Sequence, residues 1–350
     1  MIRRGLERSW RAARLPRSRS EEKALVLCYH GVTEQCSDPR LCVTPSHFAE
    51  HLEVLRQHAR PIGLQQLSLA LSDGKLPDRS VVVTFDDGYA DNLYNAKPLL
   101  ERYGIPATVF VITGYIGDER EFWWDELDRL FLRPGALPER LSLNVNGSTY
   151  RWELDEAVDY SDEAFRRHRR WRPGKEARSS YHTLHDFLWK LLRPMTESER
   201  QEVLRELRGW AGAEEAVRPS HRPLSLEEVV ALGQGGLIEV GAHTVTHPAL
   251  RKLPEAAQRD EIFGSKARLE EILNRPVTSF SYPYGNLSAQ TVDIVREAGF
   301  SCACSTQADV VRSSTDHFQL PRMEVQDLNR EEFAGQLSRW FSHQAACTIR

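Results

Sequence analysis

The sequence predicts an α/β fold, an incomplete (β/α) barrel of seven strand–helix units that one large insertion interrupts. From residue 24 onward, short apolar runs rich in β-branched residues alternate with amphipathic stretches. This alternation indicates a parallel sheet whose strands are buried on both faces. The chain has 350 residues, 41% hydrophobic and 27% charged, with a net charge of −4. These values exclude a disordered chain and give no charge argument for a nucleic-acid partner.

The predicted strands are the apolar runs that Gly or Pro residues bound. They are Ala24–Tyr29, Val81–Phe85, Ala107–Ile112, Leu237–Val240, Val277–Tyr282 and Phe300–Cys304, with a weaker strand at Pro61–Leu64. The amphipathic stretches between them predict helices. These are Ser46–His58, Tyr94–Tyr103, Glu255–Leu273 and Ser288–Ala298.

Residues 114–236 break the alternation, and we expect them to form a cap over one end of a barrel built from residues 24–113 and 237–325. Asn146-Gly147 between two β-rich runs predicts a hairpin over Leu141–Leu154. Six of the eight tryptophans lie in this insertion. Its predicted helices are Asp162–Trp171, Tyr181–Leu192 and Ser198–Trp210, and residues 326–350 are predicted to form a C-terminal helix and tail.

Residues 1–23 form a basic arm that lacks the apolar stretch of a secretory signal. We therefore expect a cytoplasmic protein, and no apolar run is long enough to span a membrane. The arm is either a solvated tail or an amphipathic helix that contacts the inner membrane through Leu6, Trp10 and Leu15. The six cysteines contain no Cys-x-x-Cys pair, so we expect reduced structural thiols.

Two adjacent carboxylates follow the predicted strand Val81–Phe85, in the segment Thr84–Gly88. Adjacent strand residues point to opposite faces, so Asp86 and Asp87 can share a site only where the chain turns, which Gly88 allows. Two neighbouring anions at the end of an apolar strand need a cation to offset their repulsion. The alternative is an ordinary loop in which Asp86 caps a helix.

Two histidines, His243 and His247, follow the predicted strand Leu237–Val240. In an extended chain they would lie about 13 Å apart, whereas one helical turn, kept short by Pro248, brings them onto one face. Two imidazoles and one carboxylate form a three-ligand site with a position open for water, as in catalytic zinc centres. The second aspartate is then available as a base. The alternative is two unrelated loop histidines.

A third cluster, Phe280–Gly285, places a stiff turn after a strand and presents the Tyr284 backbone N–H to the cleft, although ordinary turns share this pattern. In this order the three clusters resemble the polysaccharide deacetylase family (carbohydrate esterase family 4, the NodB-homology fold). Tyr29-His30-Gly31, Phe122–Asp125 and Leu320-Pro321-Arg322 are similar to its exopolysaccharide-cluster branch. The resemblance covers residues 24–113 and 237–325, and covers the insertion poorly.

The resemblance implies a distorted seven-stranded (β/α) barrel and a metal-dependent hydrolase. The implied reaction removes an N-acetyl group, or less commonly an O-acetyl group, from a polysaccharide or a lipid- or nucleotide-linked sugar and releases acetate. Asp87, His243 and His247 would bind a divalent ion, zinc or cobalt. Asp86 would be the general base, and the Tyr284 N–H would stabilise the oxyanion.

The chain departs from the family pattern in two places. Many members have an arginine at the position of Ser281 that orients the base, and here we expect Arg322 to give that support. Many take a general acid from a Leu-x-His motif, where this chain has Leu320-Pro321-Arg322. His30 and His317 are then the candidates for the acid, and His30 is preferred because it follows the first strand.

Substrate contacts are expected from Tyr282, Trp124 and Arg322, although the tryptophans of the insertion have an alternative role in packing the cap. A basic run over residues 166–175 is either a solvated helix face or a site for the phosphates of a linked sugar. The chain has no Gly-x-Ser-x-Gly motif, which argues against a serine esterase. A metal amidohydrolase for a non-sugar amide and a glycan-binding pseudoenzyme are the alternative functions.

Overall fold

The structure of the chain is a computed structural model that describes residues 22–35, 41–118, 120–132, 137–145, 147–154, 180–214 and 217–342. The predicted basic arm up to residue 21, the predicted helix at Asp162–Trp171 and the basic run at 166–175 lie outside the described residues. Within the described ranges, no helix combines the length and the apolar character that crossing a membrane requires.

A curled parallel sheet with helices packed against it forms the centre of the molecule. The strands are β1 (Ala24–Tyr29), β2 (Gly31–Val32), β3 (Cys42–Val43), β4 (Arg60–Pro61), β5 (Ser80–Phe85), β6 (Ala107–Val111), β7 (Arg140–Val145), β8 (Ser148–Glu153), β9 (Ile238–Ala242), β10 (Ser279–Ser281), β11 (Cys302–Cys304) and β12 (Met323–Glu324). Seven of them form one path in the order β11-β10-β9-β6-β5-β1-β12. The predicted fold class, a seven-stranded (β/α) barrel of distorted form with an insertion, is confirmed.

The described helices follow the strands in the expected alternation. They are α1 (Pro45–His58), α2 (Leu64–Ser72), α3 (Lys97–Tyr103), α4 (Trp123–Phe131), α5 (Ser180–Leu192), α6 (Glu197–Ala211), α7 (Leu226–Leu232), α8 (Glu255–Leu273), α9 (Ala289–Glu297) and α10 (Arg330–Ser342). The prediction for α8 matches its bounds, and the predicted helix at Tyr94–Tyr103 begins as a π-helical turn over Asn92–Ala96 before α3.

The register between β1 and β5 determines which residues lie together at the end of the sheet. Every residue of both strands is buried and most are apolar, Ser80 and Thr84 of β5 being the polar exceptions, as expected for the centre of a parallel sheet. They pair from Ala24 opposite Ser80 to Tyr29 opposite Phe85, so they end at the same level. The backbone N–H of Asp86 then donates to the carbonyl of Tyr29 at 3.0 Å. The residues after both strands therefore meet at one edge of the sheet.

Two predictions need correction. The weak strand at Pro61–Leu64 is only the two-residue β4, which pairs with the start of β5, and the seventh strand of the path is β12. A strand of two residues has too short an apolar run to be seen in the sequence. Cys42 is disulfide-bonded, whereas Cys28, Cys302 and Cys304 are free and buried as expected. Spacing along the chain did not show which sulfurs the fold brings together.

The insertion between β6 and β9 has a hydrophobic core of its own. The predicted hairpin is present as the antiparallel pair β7 and β8, and α5 and α6 match two predicted helices. Trp123, Leu188 and Leu204 belong to this second core, while Val229 and Leu232 of α7 pack in the core of the barrel. The last helix before β9 is thus part of the barrel by its packing.

His51 joins α1 to α10. Its ring stacks on Phe333 with 3.9 Å between ring centroids, and its Nε2 donates to the carbonyl of Leu328 at 2.7 Å. Burial lowers the pKa of His51 to about 4, although the hydrogen bond to Leu328 acts in the opposite direction. The folded protein therefore holds this imidazole in its neutral form.

His51 makes the free energy of unfolding depend on pH. A histidine in the unfolded chain has a pKa of about 6.5, above the value of about 4 in the folded protein. Between these two pH values the unfolded state binds more protons than the folded state. The free energy of unfolding therefore decreases as the pH falls from about 6.5 to 4. Between pH 7 and pH 5, we expect wild type to lose about 2 kcal/mol more than His51→Gln, measured by urea unfolding. His58→Gln, at an exposed position of the same helix, should lose as much as wild type. An equal loss in His51→Gln and wild type would contradict this account.

Candidate active site

A cavity of about 300 Å³ lies at the edge of the sheet where the parallel strands end. Functional groups of parallel α/β folds gather at this edge. The barrel and the insertion both contribute to its wall. Among the residues that line it are Asp86, Asp87, His243, His247, Tyr284 and Arg322 of the barrel, and Trp124, Asp128, His185 and Trp189 of the insertion.

The loops that carry the three sequence motifs have an unusual backbone. Asp87, Thr244, His247 and Tyr284 have φ angles of 74°, 64°, 57° and 57°. A left-handed conformation costs a non-glycine residue about 1–3 kcal/mol, and such strain tends to cluster at functional sites. In the described part of the chain only two other non-glycine residues have positive φ, so the strain is concentrated at this cavity.

Asp87, His243 and His247 converge as predicted. The Nε2 atoms of both histidines lie 3.6 Å from Asp87 Oδ1, and one ligand atom from each of the three residues lies within 4.8 Å of the others. Zinc bonds of about 2.0–2.1 Å at tetrahedral angles place ligand atoms about 3.3 Å apart. The spacing and the chemistry of the three donors therefore fit a divalent ion of the zinc class.

The surroundings fix the ligating nitrogen of His243. Its Nδ1 donates to the carbonyl oxygen of Ser281 at 2.8 Å, so Nε2 keeps its lone pair for the side that faces Asp87. A hydrogen bond of this kind orients metal-binding histidines in other proteins. The contact of His247 is of another kind: its backbone N–H donates to Thr244 Oγ1 at 3.0 Å, which holds the loop, while its ring Nδ1 is buried without a hydrogen-bond partner.

Glu261 of α8 holds the loop between the two histidines. Its carboxylate accepts hydrogen bonds from the backbone N–H groups of Val245 and Thr246, both at 2.8 Å, and from the Thr246 hydroxyl. Glu261 was not predicted as a site residue, because a glutamate within an amphipathic helix carries no signal that separates it from solvated neighbours.

The electrostatics of the three residues favour a bound cation. Burial raises the pKa of Asp87 well above its ordinary value, and the charge of Asp86 raises it further. Burial lowers the pKa of His243 and of His247, which keeps both imidazoles neutral. A divalent ion would compensate the charge of Asp87 and would use the lone pairs that neutral imidazoles offer.

Asp86 has a different partner. Arg322 donates from Nη1 to Asp86 Oδ1 at 2.7 Å and from Nη2 to Asp86 Oδ2 at 2.6 Å, and its Nη2 also donates to Ser281 Oγ at 2.9 Å. Burial raises the pKa of Asp86, but Arg322 and then His243 outweigh it, so the pKa stays below its usual range. The guanidinium thus supports Asp86 as expected and, at 2% exposure, has its donors directed at protein atoms.

Of the other predicted site residues, some line the cavity and one lies in the core. His30, Trp124 and Tyr284 line the cavity, and the rings of Trp124 and Tyr284 lie 4.9 Å and 4.4 Å from the ring of His247. Tyr282 is fully buried, packs on Phe280 and is not among the residues that line the cavity, so the structure does not bring it to the site. Since Ser281 faces Asp86, strand alternation turns Tyr282 into the core.

The insertion supplies further groups that the sequence analysis missed. His185 and Trp189 of α5 and Asp128 of α4 line the cavity. Trp124 also donates from Nε1 to Tyr89 Oη at 2.8 Å, and Tyr89 donates to Asp125 at 2.7 Å. The motif residues Phe122–Asp125 were the only sequence signal in this region, and they did not reveal contacts with the neighbouring helix.

A parallel barrel with carboxylates and histidines at the ends of its strands is typical of hydrolases that use a metal ion. The family model described as polysaccharide deacetylase matches residues 73–135 and 208–303 of the chain. This match confirms the predicted resemblance of the chain to the polysaccharide deacetylase family over these two segments.

Two curated relatives match parts of the chain. A poly-beta-1,6-N-acetyl-D-glucosamine N-deacetylase of Staphylococcus aureus is 40% identical over 78 residues, which are 22% of this chain and 27% of the relative. YxkH of Bacillus subtilis, which is named for the same family, is 29% identical over 141 residues, 39% of this chain and 50% of the relative. The matches thus span half or less of the length of these relatives.

Solved structures share the fold over most of the chain. IcaB from Ammonifex degensii has a TM-score of 0.56 and 21% identity, and the match covers 91% of this chain and 97% of IcaB. The Streptococcus pyogenes deacetylase PplD, solved in complex with acetate, has a TM-score of 0.56 and 18% identity, with 91% and 99% covered. Both comparisons support the barrel architecture.

The contacts of Glu261 predict a role in metal affinity. We expect Glu261→Ala to weaken zinc binding about 10–100-fold, because the loop between the two histidines loses the carboxylate that orders it. Isothermal titration of the metal-free protein with zinc measures the effect. Glu271→Ala on the same helix, where the side chain is 70% exposed, should bind zinc as wild type does. Equal affinities for all three proteins would exclude the role assigned to Glu261.

Proposed function

We propose that this protein is a metal-dependent deacetylase that hydrolyses N-acetyl groups on a glycan and releases acetate. The observation that carries the proposal is that two adjacent buried carboxylates have different partners. Asp86 is paired with Arg322, and Asp87 faces two neutral imidazoles. Hydrolysis of an amide by this route needs both a site for a cation and a separate base.

Asp87, His243 and His247 would hold the ion. A divalent ion in that site, zinc or cobalt, lowers the pKa of a water molecule and polarises the acyl oxygen when bound. Asp86 remains charged because of Arg322, so it is available to accept a proton from the attacking water. The Tyr284 backbone N–H would donate to the oxyanion that develops on the acetyl group, and the ring of the same residue lies 4.4 Å from the ring of His247. The carbon–nitrogen bond then breaks and acetate leaves.

The described side chains of the cavity favour an uncharged glycan over a phosphorylated one. Asp91, Asp125, Asp128 and Glu324 line the cavity besides the two aspartates of the site. Among the described lining residues, Arg322 is the single lysine or arginine, and Asp86 already pairs with it. Burial raises the pKa of Asp91 to about 7 and that of Asp125 well above its ordinary value, so these two carboxyl groups add little negative charge. A pyrophosphate next to the sugar would still find no unpaired lysine or arginine in the described wall. We therefore favour an uncharged N-acetylated chain, such as the glycan named for the Staphylococcus aureus relative, over a nucleotide- or lipid-linked sugar.

Acetate release from a panel of compounds tests the proposal. The panel contains N-acetylglucosamine oligomers, an O-acetylated glycan, a pyrophosphate-linked N-acetyl sugar and a ureide. We expect zinc-loaded protein to act on the oligomers first, a chelator to abolish the activity, and zinc to restore it. Turnover of the ureide alone would assign the protein to the non-sugar amidohydrolases. Binding of the oligomers with no acetate from any compound would indicate a glycan-binding pseudoenzyme.

The two aspartates should differ when each is replaced. Asp86→Asn should bind zinc as wild type does but lose about 10²–10⁴-fold in kcat, because the general base is absent. Asp87→Asn should lose the bound zinc as well as activity. Acetate release and elemental analysis of the purified proteins separate these outcomes. Asp293→Asn, where the side chain is 63% exposed, is the control and should change neither. An Asp86→Asn protein with full activity would contradict the assigned role.

A further inference from the structure

A histidine–aspartate pair supplied by the insertion lies in the wall of the cavity. Nε2 of His185 is 2.6 Å from Oδ1 of Asp128, and the two side chains are 2% and 13% exposed. Both residues line the same cavity as the candidate metal ligands. His185 lies on α5 and Asp128 on α4, so two separate helices hold the pair. A carboxylate that accepts from one ring nitrogen of a histidine stabilises the imidazolium form.

The packing of α4 shows where Asp128 lies. Trp124 precedes Asp128 by four residues on α4, so both lie on one face of the helix. The ring of Trp124 packs at 4.9 Å on the ring of His247. Asp128 is therefore four residues, about 6 Å along the helix axis, from the tryptophan that contacts a candidate metal ligand.

The packing of α5 leads to the same place independently. Trp189 follows His185 by four residues on α5 and shares its face. The ring of Trp189 lies 6.2 Å from the ring of Tyr284, which in turn lies 4.4 Å from the ring of His247. The pair formed by His185 and Asp128 is thus on the side of the cavity that His247 and Tyr284 form.

Hydrolysis of an amide requires a proton for the leaving nitrogen, and five described histidines line the cavity: His30, His185, His221, His243 and His247. The Nδ1 of His221 lies 2.8 Å from the hydroxyl of Ser220, which is neutral and does not stabilise an imidazolium as a carboxylate does. His243 and His247 are candidate ligands. His30 lies on the side of the base, with a ligand atom within 4.8 Å of Asp86, and its Nδ1 is buried without a hydrogen-bond partner. The carboxylate beside it already pairs with Arg322. His185 has a carboxylate of its own, on the other side of the site.

We propose that His185, held by Asp128, donates the proton to the leaving amine in the deacetylation proposed above, on which this inference rests. When the carbon–nitrogen bond breaks, its electron pair stays on nitrogen, and that nitrogen takes a proton from the His185 imidazolium. Water supplies the new oxygen of acetate. One of its protons goes to Asp86, and the other leaves to solvent when the acetic acid ionises to acetate. Release of the proton from Asp86 and uptake of one by His185 restore both groups.

A comparison of leaving groups tests the assignment. An N-acetylglucosamine oligomer needs a proton on its leaving amine, whereas an aryl acetate releases a phenolate that departs without one. We expect His185→Gln in zinc-loaded protein to lose about 10²–10⁴-fold in kcat/KM on the oligomer and to stay close to wild type on the aryl acetate. Asp128→Asn should show the same selectivity with a smaller loss, and it carries the test if His185→Gln does not fold.

His182→Gln controls for packing, because His182 is equally buried on the same helix but lies outside the cavity wall. Any loss in that variant should be the same for both substrates. Equal losses on both substrates in His185→Gln and Asp128→Asn would reduce the pair to a structural role and overturn the inference. A selective loss in His30→Gln alone would assign the donor to His30 and also overturn it. A wild-type protein that acts on no N-acetyl compound would refute the proposed function itself.

Discussion

Two consecutive buried carboxylates with different partners are the constraint on which the site depends. Asp86 and Asp87 are each 4% exposed. Two neighbouring negative charges that are shielded from water are unfavourable unless positive charge compensates them. The chain compensates Asp86 with a guanidinium from a residue 236 positions away. Among the described residues no lysine or arginine pairs with Asp87, which faces two neutral imidazoles, so a bound cation would be needed to compensate its charge. The left-handed backbone at Asp87 lets the two side chains reach these separate partners.

Ser281 connects the two halves of this arrangement. Its hydroxyl lies between Arg322 and Asp86, at 2.9 Å and 3.3 Å, and its carbonyl accepts from His243. A serine here leaves room for the guanidinium of Arg322, the residue directly before β12, to reach Asp86. The insertion then closes the site with Trp124 and the helix α5. A walled cavity excludes water and strengthens every charge interaction within it.

The sequence predicted those parts of the fold and site that depend on long or regular patterns. The apolar runs of β1 and β5 and the periodicity of α8 gave correct elements, and the ends of strands located Asp87, His243 and His247. The strand β12 was missed because two residues carry no periodicity. Glu261 and the pair formed by His185 and Asp128 were missed because each acts through a contact between distant elements. Tyr282 was misplaced although the alternation around Ser281 already turned it toward the core.

The central claim is that Asp87, His243 and His247 bind one ion while Asp86 stays outside its coordination shell. A crystal structure of the zinc-loaded protein, with anomalous diffraction at the zinc edge, tests this most directly. The account predicts one zinc peak at bonding distance, about 2.0–2.2 Å, from one oxygen of Asp87 and one nitrogen of each histidine, with Arg322 still paired to Asp86. A zinc ion bound by Asp86 in place of Asp87, or no peak between the three side chains, would contradict it.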